Sequence, residues 1–147
     1  MQKRPIMKFA TRFTSASILL VAAVLSACSG IPRRESDKEA LARVESYAGA
    51  PVGDFETYGH FDSWSVVDDN HILVQTGPRD AYLVKVIPPC INLAFATRIG
   101  LTSRFPHTVQ AGFDSIRVGR ESCRIMEIRP VNYRQMRADA KAEQARG

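Results

Sequence analysis

The middle of the chain alternates apolar and polar residues in short runs, a pattern typical of β-strands that are buried on one face. Three such runs cover residues 61–67, 71–76 and 81–87. The turn residues Asp68-Asp69-Asn70 follow the first run, and Gly77-Pro78-Arg79-Asp80 follow the second. The even spacing predicts an antiparallel meander. We expect it to end at Pro88-Pro89, because proline has no N–H to donate to a sheet.

The remainder of the apolar pattern predicts a closing hairpin. Residues 115–118 and 123–128 alternate on either side of Gly119-Arg120-Glu121-Ser122. In the second of these strands, the alternation places Cys123, Ile125 and Glu127 on one face, and it places Arg124, Met126 and Ile128 on the other. Residues 91–101 fit a short buried helix or a strand equally well. Residues 102–112 are predicted to form a polar loop.

Helical signals lie at the two ends of the mature region. Ser36 followed by Glu39 is a capping box, and apolar residues then recur at helical spacing until Gly49-Ala50-Pro51. This short helix could space the domain from a membrane or pack on it. After Pro130, Tyr133 and Met136 begin a thin apolar stripe that predicts a second helix. The predicted fold class is therefore α+β and mostly β. We expect a small antiparallel sheet or half-barrel of about five strands, with a short N-terminal helix and a C-terminal helix.

The first residues have the pattern of an export signal. A basic stretch without acids precedes an apolar run over residues 18–25, which is shorter than the roughly 20 residues that span a bilayer. Leu25-Ser26-Ala27-Cys28 then resembles the bacterial lipoprotein signal at all four positions. The resemblance implies cleavage before Cys28, acyl chains on it, and, with Ser29 rather than Asp next, the periplasmic face of the outer membrane rather than the inner membrane. The alternative is an ordinary signal that ends at Ala27.

These features divide the chain into four parts. They are a signal peptide (1–27), a lipidated tether with a short helix (28–52), a β domain (53–130) and a C-terminal helix (131–147).

The formal net charge of +5 overstates how basic the mature protein is, because Lys3, Arg4, Lys8 and Arg12 belong to the signal and no acid does. The mature part is nearly neutral, and a nucleic-acid partner is therefore not expected.

The three cysteines suggest one disulfide. If Cys28 carries lipid, Cys90 and Cys123 remain, in a compartment where disulfides persist. We expect this pair to join the end of the third strand to the start of the last one, and so to hold two edges of a curled sheet together. Free thiols and metal ligation with His107 are the alternatives. A closed zinc site needs four clustered ligands, and neither a metal nor another cofactor is expected.

A second resemblance covers roughly residues 55 to 131. It rests on Trp64, Tyr82-Leu83, Pro89-Cys90-x-x-Leu93, Asp114-x-Ile116-x-Val118 and Cys123-x-Ile125-x-x-Ile128-x-Pro130. Together these residues resemble a family of small exported Gram-negative proteins of unknown function. The paired cysteines are the most specific feature. The resemblance implies a fold and a location but assigns no activity.

The candidate sites are few. His60, His71 and His107 lack the spacing of a zinc motif, and Asp68-Asp69-Asn70 lacks the spacing of a calcium loop. Arg117, Arg120 and Arg124, with Arg129 beyond them, could contact anionic lipid headgroups, lipopolysaccharide phosphates or an acidic partner protein. They could equally form a solvated face paired with Glu121 and Glu127.

No catalytic residue is assigned, because no nucleophile elbow, phosphate-binding loop or dinucleotide motif is present. We expect a non-enzymatic interaction or envelope-maintenance module that is attached to the membrane through Cys28. One alternative is a binding protein for a small apolar or anionic envelope ligand. The other is a hydrolase or redox enzyme without a recognisable motif.

Overall fold

The computed structural model describes residues 35–57 and 60–146. The signal and Cys28 lie outside this part. The described elements, in chain order, are α1 (Asp37–Glu45), β1 (Asp54–Glu56), β2 (Ser63–Asp68), β3 (His71–Gln75), β4 (Ala81–Val86), a 3-10 helix (Leu93–Phe95), β5 (Gly100–Thr102), β6 (Thr108–Gln110), β7 (Ser115–Val118), β8 (Glu121–Val131) and α2 (Tyr133–Gln144). Neither α1 nor α2 is long and apolar enough to cross a membrane.

The strands form an antiparallel, curled half-barrel of six strands and a separate strand pair. The order in the larger sheet is β2-β3-β4-β8-β7-β5, and β1 pairs with β6. The predicted fold class is confirmed, with six strands in the main sheet where about five were expected. The meander β2-β3-β4 and the hairpin β7-β8 are confirmed as well.

Local sequence signals account for the meander and for α1. The Asp68 carboxylate accepts hydrogen bonds from the Asn70 and His71 N–H groups, both at 2.8 Å, and this closes the β2–β3 turn. Ser36 and Glu39 form the predicted capping box, because the Glu39 carboxylate accepts the Ser36 N–H at 2.9 Å and the Ser36 hydroxyl accepts the Glu39 N–H at 3.4 Å. Val44 of α1 is only 3% exposed, so α1 packs on the sheet.

The main sheet is covered on both faces. One face, together with the β1–β6 pair and the 3-10 helix, buries the larger apolar cluster: Phe55, Ile72, Val74, Val84, Val86, Cys90, Leu93, Val109, Ile116, Val118, Cys123, Ile125 and Ile128. The other face packs under α1 and α2 and buries Val44, Val67, Leu73, Ala81, Leu83, Val131 and Met136. Burial on both faces explains why β3 and β4 carry nearly continuous apolar runs.

Two segments differ from the sequence prediction. The predicted polar loop 102–112 contains β6, which pairs with β1 so that Phe55 lies opposite Val109. Both side chains are buried, and the Phe55 ring stacks on Tyr82 at 4.7 Å between centroids. Residues 91–101, which fitted either a helix or a strand, contain the 3-10 helix and then β5. Strands of three residues give too little alternation to be recognised, and each is stabilised by a partner distant in sequence.

A β-bulge changes the predicted faces of β8. Lys85 pairs with Glu127, whereas Val86 pairs with Ile125, so Met126 is the extra residue. Met126 is 53% exposed, and the alternation restarts beyond it. Ile128 consequently packs in the same cluster as Ile125. The prediction that these two residues occupy opposite faces was wrong, because simple alternation ignores the extra residue.

Cys90 and Cys123 form a disulfide with a Cα–Cα distance of 5.8 Å. The pairing and its place, from the end of the third strand of the meander to the start of the last strand, agree with the sequence prediction, but the expectation that these are two edges of the sheet was wrong. Cys90 follows β4 and Cys123 lies in β8, and these two strands are neighbours in the middle of the sheet. The disulfide therefore attaches the segment after β4 to the adjacent strand and does not join two sheet edges.

Candidate functional site

An open groove of about 840 Å³ lies beside the β7–β8 turn. Asn92 and residues 95–101 line one side of it, and residues 117–120 line the other. Three of the lining side chains are arginines, namely Arg98, Arg117 and Arg120, and all three are exposed. The groove therefore combines two segments that the disulfide and the β5–β7 pairing bring together.

The three arginines are not neutralised by the protein. Within residues 35–57 and 60–146, no carboxylate forms an ion pair with any of them, and none of their guanidinium groups has a hydrogen-bond partner. Each guanidinium offers up to five N–H donors in a planar fork that matches carboxylate or phosphate oxygens. The groove is thus suited to binding an anion.

Apolar side chains stand next to this charge. Leu93 is fully buried and fixes the 3-10 helix to the core, whereas Phe95 on the same short helix is 82% exposed. Ile91, just before that helix, is 72% exposed and lines a neighbouring depression together with Phe95, outside the groove itself. Exposed large apolar residues beside unpaired cations favour a ligand that has both an anionic group and an apolar part.

Glu121 holds the side of the groove that carries Phe95. Its carboxylate accepts the Asn92 N–H at 2.9 Å, the Asn92 side-chain amide at 2.9 Å and the Ile91 N–H at 3.1 Å. The sequence suggested Glu121 as a partner for nearby arginines, but its oxygens are used to fix residues 91 and 92. This role was not predictable locally, because the donors lie about thirty residues earlier in the chain.

The hydrogen bond from the Asn92 N–H is the main reason that the pKa of the Glu121 carboxyl lies below its ordinary value of 4.5. The Ile91 N–H and the Asn92 side chain lower this pKa further, and partial desolvation opposes them. A lowered folded-state pKa means that the carboxylate contributes stability fully above the unfolded pKa. That contribution is lost as the pH falls through the folded pKa.

The Glu121→Gln variant should therefore lose part of the decrease in stability that the wild type shows at acidic pH. We expect the melting temperatures of the wild type and the variant to converge as the pH is lowered below about 4.5, because the wild-type carboxyl is then protonated too. Thermal unfolding followed by circular dichroism across the acid range would measure this. A difference that stays constant down to the lowest pH would contradict a role for the ionised carboxylate.

The carboxylate of Glu121 also lies within 4.8 Å of both cysteine sulfurs. This trio is the only group of three potential metal-ligating side chains that lie close together in the described part of the chain. The disulfide leaves neither sulfur as a thiolate, and three N–H groups already bind the carboxylate. The arrangement therefore fits a structural role in the oxidised protein and offers a metal ion no thiolate ligand.

The remaining predicted residues lie elsewhere. Arg124 is exposed on β8 opposite Ser115 and does not line the groove. Arg129 donates to the Gly49 carbonyl at 2.9 Å, so it serves the packing of the segment after α1. Arg98 was not singled out from the sequence. The sequence shows Arg98 only as a basic residue just before β5, which does not mark it as part of a site. The β5–β7 pairing is what brings it to the same groove as Arg117.

The histidines do not assemble into a site. His71 Nδ1 lies 2.8 Å from the Asp68 carboxylate, a pairing that can orient a catalytic base. Among the described residues, however, no hydroxyl or thiol forms a hydrogen bond with its other ring nitrogen. Asp68 meanwhile closes the β2–β3 turn. This pair is therefore best explained as part of the turn.

Comparison with known protein families gives a match over most of the chain. A profile described as "Family of unknown function (DUF6491)" matches residues 11–147. No curated protein and no solved structure matches the chain significantly.

Proposed function

The chain belongs to the DUF6491 family of unknown function, and from that premise we propose that it is a lipid-anchored binding module of the bacterial envelope. In this proposal, acyl chains on Cys28 hold it at the periplasmic face of the outer membrane. The groove of Arg98, Arg117 and Arg120 takes the anionic group of an envelope ligand. No reaction is assigned to it.

The anchor is supported by the sequence alone. Leu25-Ser26-Ala27-Cys28 matches the lipoprotein signal at each position, after a basic start and a short apolar run. Two or three acyl chains would make membrane attachment durable, whereas a single chain would not. Export also fits the disulfide between Cys90 and Cys123.

One observation supports the binding function above all others. Three exposed arginines with no carboxylate partner among the described residues line one groove beside the exposed ring of Phe95. Structural arginines are commonly paired or hydrogen-bonded, as Arg129 is here. A phosphate or carboxylate carried on an apolar body would satisfy both the charge and the ring. The proposed ligand class is therefore an anionic amphiphile.

Arg117→Gln combined with Arg120→Gln should abolish most of this binding. Charge-assisted hydrogen bonds are worth roughly 1.5–3 kcal/mol each, so affinity for an alkyl phosphate should fall at least about tenfold. Titration of the ¹⁵N-labelled protein with a short alkyl phosphate, read from amide chemical shifts, measures this. Wild-type shifts should cluster at residues 92–101 and 117–120.

The matched control combines Arg79→Gln with Arg124→Gln, because both arginines are exposed outside the groove and their replacement removes the same two charges. It should leave the affinity within about twofold of the wild type. Equal loss in both variants would indicate nonspecific charge attraction. No saturable shift in the wild type would refute a phosphate-type ligand for the groove.

A further inference from the structure

The charges of α2 are divided between two sides of the helix. Asp139 faces the segment just after α1, where its carboxylate accepts the Tyr47 hydroxyl at 2.8 Å. Glu143 is four residues further and therefore lies on the same side. Arg134, Arg137 and Lys141 follow at spacings of three and four and occupy the opposite side. The helix thus turns its acids toward the protein and its cations away from it.

These three cations, here called the α2 basic row, are open to solvent. Each is exposed, and in the described part of the chain none forms an ion pair. They border a shallow depression of about 720 Å³ together with Tyr133 and Pro78. Arg137 lies 5.7 Å above the Tyr133 ring, a contact that orients the guanidinium and leaves its N–H donors unused. The row extends over roughly 10 Å of helix.

The chain length before α1 limits how far this row can be from the anchor. Six residues lie between Cys28 and Glu35, and these seven residue steps reach at most about 25 Å even when fully extended. The domain then begins with α1, which packs against α2 in one apolar cluster that contains Val44 and Met136. A domain held this close to a bilayer meets its surface at a high effective concentration.

We propose that the α2 basic row docks on anionic phospholipid headgroups of the membrane that holds the lipid anchor. The inference rests on the proposed anchor at Cys28 and adds an orientation to it. Headgroup phosphates form a planar anionic surface, which matches a straight row of cations on a helix side. The groove of Arg98, Arg117 and Arg120 belongs to different elements, so the two surfaces can be tested independently.

The test uses the mature acylated protein reconstituted into phosphatidylcholine vesicles, with or without phosphatidylglycerol. Docking is measured as a slower acetylation of Lys141 by an amine-reactive ester. The rate is determined by mass spectrometry relative to that of Lys85. In anionic vesicles, we expect Lys141 to react about tenfold more slowly than in neutral ones. High salt should remove this protection, because the attraction is screened.

The variant Arg134→Gln with Arg137→Gln keeps Lys141 as a reporter and should lose the protection. Arg104→Gln with Arg124→Gln removes the same two charges from exposed positions outside both the groove and the α2 basic row, and this variant should keep the protection. Equal Lys141 reactivity in the two vesicle types, or unchanged protection in the α2 variant, would overturn the docking proposal.

Whether Cys28 carries the lipid anchor is determined separately, from the intact mass of the same protein. Acyl mass on Cys28 without Lys141 protection would refute docking alone. An unacylated chain would refute the anchor, and docking would then be supported only if anionic vesicles still protected Lys141 through Arg134 and Arg137.

Discussion

Replacing Cys90 and Cys123 together with alanine should lower the free energy of unfolding by roughly 3.5–4 kcal/mol. The disulfide closes a loop across a sequence separation of 33. In the chain-entropy model, a loop of this size restricts the unfolded state by about that amount. For a domain of this length, the corresponding fall in melting temperature is about 15 °C. Thermal unfolding without reductant measures it.

The structure adds a local consequence to this loss. Cys90 anchors the start of the segment that carries Ile91, the 3-10 helix and one side of the groove. Without the disulfide, the Glu121 hydrogen bonds, buried Leu93 and half-buried Ala96 remain to hold that segment. Amide hydrogen exchange should therefore rise most over residues 91–96, while β3 keeps its protection.

Reductant supplies the control for this pair. Wild-type protein treated with a strong dithiol should unfold at nearly the temperature of the double variant, and the variant should not respond to the reductant. If the variant melted within about 3 °C of the oxidised wild type, the loop-entropy explanation would fail, because its predicted effect is several times larger.

Asp114→Ala should destabilise the protein by roughly 3 kcal/mol. Asp114 is only 2% exposed, and its carboxylate accepts the Gln110 N–H at 2.8 Å and the Arg104 N–H at 3.1 Å. Hydrogen bonds to a charged group are worth roughly 1.5–3 kcal/mol each, and alanine would leave both donors without this acceptor. Urea unfolding gives the difference in free energy.

Two variants make this result specific. Asp114→Asn keeps one carbonyl oxygen and should lose about half as much, because its NH₂ group cannot accept the second N–H. Asp69→Ala removes an exposed carboxylate and should change stability by less than about 0.5 kcal/mol. A loss at Asp114 no larger than that at Asp69 would show that the carboxylate does not organise residues 104–110.

The elements with local signals were predictable from the sequence. The α1 capping box needs only Ser36 and Glu39, the β2–β3 turn needs only Asp68 and its neighbours, and Pro88-Pro89 ends the meander without any distant partner. The cysteine pairing was predictable because the chain has only three cysteines, and one of them was assigned to the lipid anchor. Arg117 and Arg120 could be identified as candidate anion-binding residues because they lie at one predicted turn.

Other features depended on segments that are far apart in the chain. The β1–β6 pair joins Phe55 to Val109, and the groove needs Arg98 beside Arg117. Glu121 acquires its role only when residues 91 and 92 lie against it. The bulge at Met126 is likewise set by the register between β4 and β8.

The sequence by itself therefore determined that the fold is mostly β, and it determined the order of the main elements, the N-terminal and C-terminal helices and the cysteine pair. The tertiary structure decided the strand order, the position of the disulfide within the sheet, the bulge and the membership of the groove. The physical reason is the range of the interactions. Caps and turns are stabilised by hydrogen bonds within a few residues, whereas register and groove geometry depend on side chains from distant segments packing together as one core.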